Sequence, residues 1–290
     1  MSQTDQRLIA AMPVVFVLIW STGFIVARLG MPHAGPMAFL TWRYCLSVAC
    51  FLIWVKLSGV AFPRSRRAWA HLAVTGLLMH AGYLGGVWAA VKVGMGAGLA
   101  ALIVGLQPVL TGIWLSYVGS RVTPRQWCGL ALGLLGLFFV VFHKLDHAGE
   151  VTPLTITLAV TALLSITAGT LYQKRFVQPC DVRAASVIQM SAALALTLPL
   201  ALIENQPVQW VPDVMIAMAW SVLALSLGAS SLLYLLIQRG AAAAVSSLMY
   251  LVPPCTAVIA WFLFDEPLTP LTLLGMAITV LGVALVRPRS

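Results

Sequence analysis

Charged residues are scarce in this sequence. They occupy 9% of its 290 positions, whereas 61% of the side chains are apolar and the mean hydropathy is +0.97. A soluble domain carries about 25% charged residues, so this chain has too few of them to cover a water-exposed surface. The composition therefore excludes an ordinary soluble protein and predicts an integral membrane protein.

The sequence also lacks the motifs of the common enzyme classes. No G-x-S-x-G, H-E-x-x-H, P-loop or dinucleotide-binding pattern occurs. The five cysteines form no C-x-x-C pair, which indicates packing residues and not a redox or metal site. The net charge of +9 comes without a basic cluster interleaved with aromatic residues, so nucleic-acid binding is not indicated. We predict no cofactor.

One polar loop is a candidate for a metal site. His143, Asp146, His147 and Glu150 follow the fifth apolar segment, and two histidines four residues apart can hold zinc when they lie on a helix. A short loop rich in histidine and acidic residues is more often simply hydrated. We therefore predict no metal site in this loop.

Ten apolar segments are long enough to cross a bilayer, which takes roughly 20 mainly apolar residues. They lie near residues 9–29, 36–57, 68–91, 96–119, 124–143, 153–174, 182–203, 214–237, 241–264 and 268–286. The connections between them are short. The predicted fold class is an all-α polytopic membrane protein with ten transmembrane helices.

Basic residues are distributed unevenly between the two sides. If the N-terminus is cytoplasmic, thirteen Lys and Arg residues fall in inner connections and three, Arg28, Lys92 and Lys144, in outer ones. Cytoplasmic loops carry the excess of basic residues in membrane proteins. Both termini are therefore predicted to be cytoplasmic.

The second half of the chain repeats the first at one constant offset in residue number. This offset, which we call the repeat shift, pairs Gly94 with Gly240 and Pro108 with Pro254, and it extends over most of the chain. We divide the chain into a first repeat at 1–146 and a second at 147–290, each with five helices. Because five is odd, the second repeat enters the membrane from the opposite side. Such inverted repeats are typical of secondary transporters that work by alternating access.

Small and helix-bending residues recur at matching places in the two repeats. Pro108 lies within the fourth predicted helix, and Pro253 and Pro254 lie within the ninth. Each removes a backbone hydrogen bond and kinks its helix. We predict that these kinks line a cavity and act in gating, although simple packing kinks are the alternative. Six glycines are predicted to allow close helix packing: Gly82, Gly86, Gly129, Gly133, Gly275 and Gly282.

Three motifs resemble those of the drug/metabolite transporter superfamily. They are Trp20-Ser21-Thr22-Gly23-Phe24, Tyr250-Leu251-Val252-Pro253-Pro254, and Asp265-Glu266-Pro267-Leu268-Thr269 followed by Gly275 and Gly282. The chain resembles the ten-helix EamA-type exporters of that superfamily, and more narrowly the YddG branch of aromatic amino acid exporters. The first repeat departs from the third motif, with Gly119-Ser120-Arg121 at the matching place.

This resemblance implies a basket in which helices 1, 3, 4, 6, 8 and 9 surround a central cavity and helices 5 and 10 support it from outside. Polar and aromatic residues on those helices become candidates for substrate binding: Trp20, Ser21, His80, Tyr83, Trp88, Gln107, Ser165, Tyr172, Tyr234, Ser246 and Tyr250. The alternatives are an interfacial role for the aromatic residues and local backbone hydrogen bonds for the serines.

Two ionisable residues lie inside predicted helices. His80 can carry a proton in the third helix, or it can be a neutral, hydrogen-bonded ring. Arg43 in the second helix is predicted to extend towards the outer surface, with contact to a substrate carboxylate as the alternative. No Asp or Glu lies at mid-depth in any predicted helix. We therefore predict facilitated or weakly coupled export and not obligatory proton antiport.

The hypothesis from sequence is a bacterial inner-membrane exporter of small amphipathic metabolites, namely amino acids that include aromatic ones. A drug or nucleotide-sugar exporter of the same fold is the first alternative. A membrane-embedded enzyme acting on lipid, using His80 or the loop from His143 to Glu150, is the second. The partners expected are the transported small molecule and membrane lipid, and the chain is expected to be a monomer or a homodimer.

Overall fold

The computed structural model describes residues 3–118, 123–144, 150–232 and 251–286. Within these ranges the chain is helical and contains no β-strand. The described helices, α1 to α10, follow one another along the chain. They are α1 (Gln3–Gly30), α2 (Pro36–Ser58), α3 (Arg66–Lys92), α4 in two parts, α4a (Ala97–Val104) and α4b (Gln107–Val118), α5 (Pro124–Lys144), α6 (Pro153–Phe176), α7 (Val182–Glu204), α8 (Pro212–Leu232), α9 (Val252–Phe264) and α10 (Pro270–Val286).

Each helix overlaps one predicted span. Seven helices, α1 to α4 and α6 to α8, are long and apolar enough to cross a membrane. Shorter apolar stretches of 10–17 residues occur in α5, α9 and α10. The predicted ends of the eighth and ninth spans fall partly within 233–250, outside the described ranges. The all-α, polytopic fold class predicted from the apolar segments is confirmed.

The pairing of α5 with α10 reveals the symmetry of the fold. A Cβ atom added to Gly136 would meet the Gly275 carbonyl oxygen, and one added to Gly282 would meet the Gly129 carbonyl oxygen at 2.5 Å. The repeat shift converts the first of these contacts into the second. The two helices thus pack antiparallel around a twofold axis, as an inverted repeat requires. The glycine-containing faces of α5 and α10 therefore pack against each other within one chain.

Small residues also set the distance between α3 and its neighbours. A Cβ atom on Gly86 would lie 2.9 Å from the Cβ atom of Ala162 in α6, and one on Gly82 would lie 2.8 Å from the Ser165 hydroxyl. A Cβ atom on Gly76 would collide with the backbone of Gln189 in α7. The predicted packing role of Gly82 and Gly86 is therefore seen directly, and α3 is held between α6 and α7.

The break in the fourth helix lies before its proline. Gly105 and Leu106 form a turn between α4a and α4b, and Pro108 occupies the first turn of α4b, where a missing amide donor costs least. Pro253 and Pro254 lie in the first turn of α9. A Cβ atom on Gly105 would approach the Pro253 ring at 2.7 Å, so the break in α4 packs against the proline pair.

Two glutamates join the two repeats at one end of the bundle. The Glu204 carboxylate accepts hydrogen bonds from the backbone amides of Met37 (3.0 Å) and Ala38 (3.2 Å) at the start of α2. The Glu266 carboxylate accepts from Ala97 (2.8 Å) and Gly98 (3.3 Å) at the start of α4a. Each carboxylate satisfies backbone amides that lack a helical partner, and its negative charge interacts favourably with the positive end of the helix dipole. We call this the carboxylate end.

The opposite end carries basic residues, and one of them forms a local ion pair. This basic end is where α3 and α7 begin and α6 finishes, with Arg66, Arg67, Lys174, Arg175 and Arg183. Asp181 caps the start of α7 and pairs with Arg183 at 2.7 Å, and the Arg183 guanidinium holds the pKa of this carboxyl below its usual value.

Candidate substrate cavity

A central cavity lies between the two repeats. Its empty volume is about 870 Å³, part of which is open to solvent. It reaches from Trp88 in α3 towards Gln173 and Val182 at the basic end. The described residues that line it are Trp20, Gly23, Phe24, Arg43, Met79, His80, Tyr83, Leu84, Val87, Trp88, Ile166, Gln173, Val182, Ser186, Gln189, Leu225 and Ser230.

Two π-helical segments form opposite walls of the cavity. They are Leu77–Gly82 within α3 and Ser221–Ala229 within α8. Applying the repeat shift to the first gives 223–228, which lies inside the second. A π-helical turn widens the helix and redirects the side chains that follow it, and such turns are frequent at functional sites. Both repeats therefore carry the same backbone distortion where they face the cavity.

Equivalent positions of the two repeats line the cavity together. The repeat shift pairs Trp20 with Ile166, Arg43 with Gln189, Met79 with Leu225 and Leu84 with Ser230, and all eight side chains line it. The cavity thus straddles the twofold axis. The paired residues differ in chemistry, so the wall is symmetric in backbone but not in polarity.

Two polar contacts cross between the repeats in the middle of the bundle. Arg43 of α2 donates from Nε to the Ser226 hydroxyl of α8 at 3.2 Å. Gln189 of α7 approaches the His80 ring of α3. The repeat shift relates Arg43 to Gln189 and His80 to Ser226, so these are two versions of one contact. The Tyr44 hydroxyl completes the cluster by donating to the His80 carbonyl oxygen at 2.9 Å.

The position of Arg43 differs from the expectation that it extends towards the outer surface. Its side chain is 5% exposed and lines the cavity. The reason is that α2 packs against α7 and α8, and the hydroxyl of Ser226 provides an acceptor inside the bundle. The guanidinium therefore turns inward, towards the centre of the protein.

Four of the candidate residues lie at the cavity. Trp20, His80, Tyr83 and Trp88 line it, and Tyr83 lies beside Trp20. Trp88 is fully buried and stacks on Phe39, with ring centroids 4.4 Å apart. Three of these four residues, Trp20, Tyr83 and Trp88, are aromatic and line the same cavity as Arg43 and His80.

Four other candidates are placed elsewhere. Ser21 is fully buried and donates to the Val17 carbonyl oxygen within its own helix. Ser165 packs against Gly82. Two further residues make contacts that join helices. Gln107 donates to the Thr170 hydroxyl at 3.0 Å, and the Tyr172 hydroxyl is hydrogen-bonded to the His71 ring at 2.8 Å. These contacts occupy their polar atoms, and none of the four is a lining residue of the cavity.

Several predicted residues cannot be placed because they lie outside the described ranges. Tyr234, Ser246 and Tyr250 fall within 233–250, and Asp146 and His147 fall within 145–149. Among the residues that the structure describes, no cluster of three metal-binding side chains occurs.

The helices around the cavity differ in part from those that the family resemblance implied. In the described part of the chain, the lining residues come from α1, α2, α3, α6, α7 and α8, while α4 and α9 supply none. Sequence reasoning did not select Gln173, Ser186 or Gln189. Applying the repeat shift to Arg43 would have pointed to Gln189, because it aligns the two polar residues inside otherwise apolar helices.

Both repeats match a family model. The description of that family is "EamA-like transporter family", and the matched residues are 8–142 and 153–287. The chain belongs to this family. It is therefore a multi-pass membrane transporter and not a lipid-modifying enzyme, and the family resemblance stated from sequence is confirmed.

Relatives of this EamA-like transporter are distant in sequence but similar in length. It is 24% identical to an uncharacterized inner membrane transporter, YedA, of Escherichia coli (strain K12), over 93% of this chain and 87% of the relative. It is 25% identical to a probable terminal-alkyne amino-acid exporter of Streptantibioticus cattleyicolor, over 96% of this chain and 92% of the relative. A solved crystal structure of a protein, 17% identical, matches it with a TM-score of 0.66 over 98% of this chain and 96% of the other. This match shows a shared fold.

Proposed function

We propose that this chain exports small amphipathic metabolites, in particular amino acids that include aromatic ones, by alternating access. The observation that carries the proposal is the cavity on the twofold axis, lined by equivalent positions of two inverted repeats. Two copies of one backbone plan, facing opposite sides, can exchange conformations and so open one site to either side in turn. Trp20, Tyr83 and Trp88 offer apolar surface to a side chain of the solute, and Arg43 and Gln189 offer polar groups.

The name of the Streptantibioticus cattleyicolor relative supports the amino-acid class. The excess of basic residues at the basic end supports a cytoplasmic location for that end and for both termini. The name of the Escherichia coli relative supports an inner-membrane location. The division into repeats at 1–146 and 147–290 belongs to the same proposal, as does a gating role for Pro108, Pro253 and Pro254.

Alternating access gives the carboxylate end a specific role. In this structure Glu204 and Glu266 tie helices of opposite repeats together, and the cavity extends from the middle of the bundle towards the basic end. We assign the structure to the inward-facing half of the cycle, with the carboxylate end closed. Opening towards the outside then requires at least one of these glutamates to leave its helix.

The test is flux of radiolabelled phenylalanine and methionine through purified protein in liposomes, with and without an imposed pH gradient. We expect saturable flux that survives collapse of the gradient, because no carboxylate of the described residues lines the cavity. Control liposomes contain no protein. Absence of amino-acid flux under both conditions would contradict the substrate class and direct the search to drugs and nucleotide sugars. Flux that requires the gradient would contradict the facilitated mechanism.

A further inference from the structure

Arg43 is a buried cation whose surroundings are incomplete without an anion. Its side chain is 5% exposed, and it lies about 10 Å along the helix axis from Pro36 at the start of α2, within the apolar span. One guanidinium nitrogen, Nε, donates to the Ser226 hydroxyl. A neutral hydroxyl does not balance a positive charge, and a charge buried in protein is normally paired.

The sequence provides no carboxylate at the depth of this charge. All eight acidic residues lie between or beyond the predicted spans. Within the four described stretches, no carboxylate lies within 4.0 Å of the guanidinium. Three of the acids are engaged at the ends of the bundle: Asp181 with Arg183, and Glu204 and Glu266 with helix N-termini. None of the described residues therefore supplies the missing anion, and a solute in the cavity can.

The repeat shows that the cation is a departure from symmetry. Gln189 occupies the position equivalent to Arg43, lines the same cavity and is similarly buried, with 8% exposed. A neutral side chain is thus compatible with this backbone environment. An arginine on one side only gives the cavity a positive wall, and a solute with one negative group is oriented by it.

We propose that Arg43 binds the carboxylate of the transported solute, whose apolar part lies against Trp20, Tyr83 and Trp88. This inference rests on the proposed export function. Since none of the described lining residues is acidic, the cavity offers no charged partner for the ammonium group of an amino acid. The site therefore selects monocarboxylates with an apolar body, and amino acids are one group among them.

A ligand series on the native protein tests this directly. Phenylalanine carries both charged groups, 3-phenylpropanoate keeps the carboxylate, and 2-phenylethylamine keeps the ammonium. Binding is measured from the shift in melting temperature of the detergent-solubilised protein. We expect 3-phenylpropanoate to bind within a few-fold of phenylalanine, and 2-phenylethylamine to bind roughly ten- to a hundredfold more weakly, the effect of a charge-assisted hydrogen bond. Equal binding of the amine and the carboxylate would overturn the inference.

Variants of the protein test whether the carboxylate of the ligand binds at Arg43. Arg43→Gln should weaken 3-phenylpropanoate binding by the same factor and should not weaken 2-phenylethylamine binding, because it removes a cation that repels the ammonium group. Arg43→Lys should retain part of the carboxylate preference. Ser226→Ala should lower the affinity for the carboxylate a few-fold by freeing the guanidinium. Arg66→Gln, at an exposed arginine at the start of α3, is the matched control and should bind like the native protein. An unchanged carboxylate preference in Arg43→Gln would overturn the inference.

Failure of the inference and failure of the proposed function give different results. Carboxylate binding that depends on Arg43 without any amino-acid flux would support the anchor and contradict amino-acid export. Amino-acid flux with equal binding of amine and carboxylate would support amino-acid export and contradict the carboxylate anchor. If none of the three compounds stabilises the native protein, the carboxylate anchor is wrong. The ligand series is measured on the native protein, so it still tests the inference if Arg43→Gln fails to fold.

Discussion

The two repeats agree in their backbone and differ in their chemistry. Both contain a π-helical segment at the same relative position, and both contribute the same glycine contact to the α5–α10 pair. At the centre, however, Arg43 and Ser226 in one contact correspond to Gln189 and His80 in the other. The shared backbone is what an inverted repeat needs in order to exchange conformations, whereas recognition of one solute requires only one set of side chains. In the proposed alternating access, the symmetric backbone permits the movement, and the side chains that differ between the repeats bind the solute.

The largest expected effect comes from breaking the polar asymmetry. Moving the cation across the axis in the double variant Arg43→Gln with Gln189→Arg should reduce phenylalanine flux in liposomes roughly ten- to a hundredfold, because the charge then lies beside His80 and not beside Ser226. Gln189→Ala alone removes a neutral group and should reduce flux only a few-fold. Native flux in the double variant would show that the side carrying the cation does not matter.

The glycine contacts sharpen the symmetric part of the comparison. Gly136→Ala and Gly282→Ala each insert a methyl group against backbone atoms of the partner helix, so each should lower stability by about 1–3 kcal/mol, and by similar amounts. The measurement is the free energy of unfolding in detergent. Gly133→Ala on α5 is the control, because its new Cβ would have its nearest neighbour at 3.4 Å. Very different costs for the two equivalent variants would contradict a twofold-symmetric packing of α5 and α10.

The two caps at the carboxylate end have no counterpart in the repeat. The positions equivalent to Glu204 and Glu266 are Ser58 and Ser120, so neither equivalent position supplies a carboxylate. Glu266→Ala should lower stability by about 0.5–2 kcal/mol, as loss of a helix cap does. Glu204→Ala should cost less, because Glu204 is less buried than Glu266. Thermal unfolding measures both, and a larger cost for Glu204→Ala would reverse this ranking.

Two tyrosines selected from sequence should differ in transport. Tyr83 lines the cavity, so Tyr83→Ala should reduce phenylalanine flux several-fold through loss of an aromatic contact. Tyr172 bonds to His71 and packs near Phe176 at the basic end, so Tyr172→Phe should change flux less than twofold, an effect below about 0.4 kcal/mol. A strong loss of flux in Tyr172→Phe would place this residue on the transport path.

Sequence reasoning predicted helices better than contacts, and the residues show why. Apolar runs indicate where each helix lies, and the repeat shift indicates which helices of the two repeats correspond. The positions of the helices and their correspondence therefore follow from the order of residues alone. Trp20, His80, Tyr83 and Trp88 were found because α1 and α3 face the centre. Gln107 does not line the cavity, because a polar residue inside an apolar helix also occurs where two helices hydrogen-bond to each other, here through Thr170.

The amino-acid sequence by itself determined that this protein lies in a membrane, crosses it with two inverted sets of helices and belongs among transporters. The membrane spans follow from the apolar composition, because each apolar segment is transferred into lipid. The two sets of helices follow from the repeat in the order of residues. Only the tertiary structure decided that Arg43 points into the cavity, that Gln189 faces His80, and that Glu204 and Glu266 cap helices of the opposite repeat. Each of these contacts joins residues that lie far apart in the chain, and the direction of a side chain depends on which helix packs beside it.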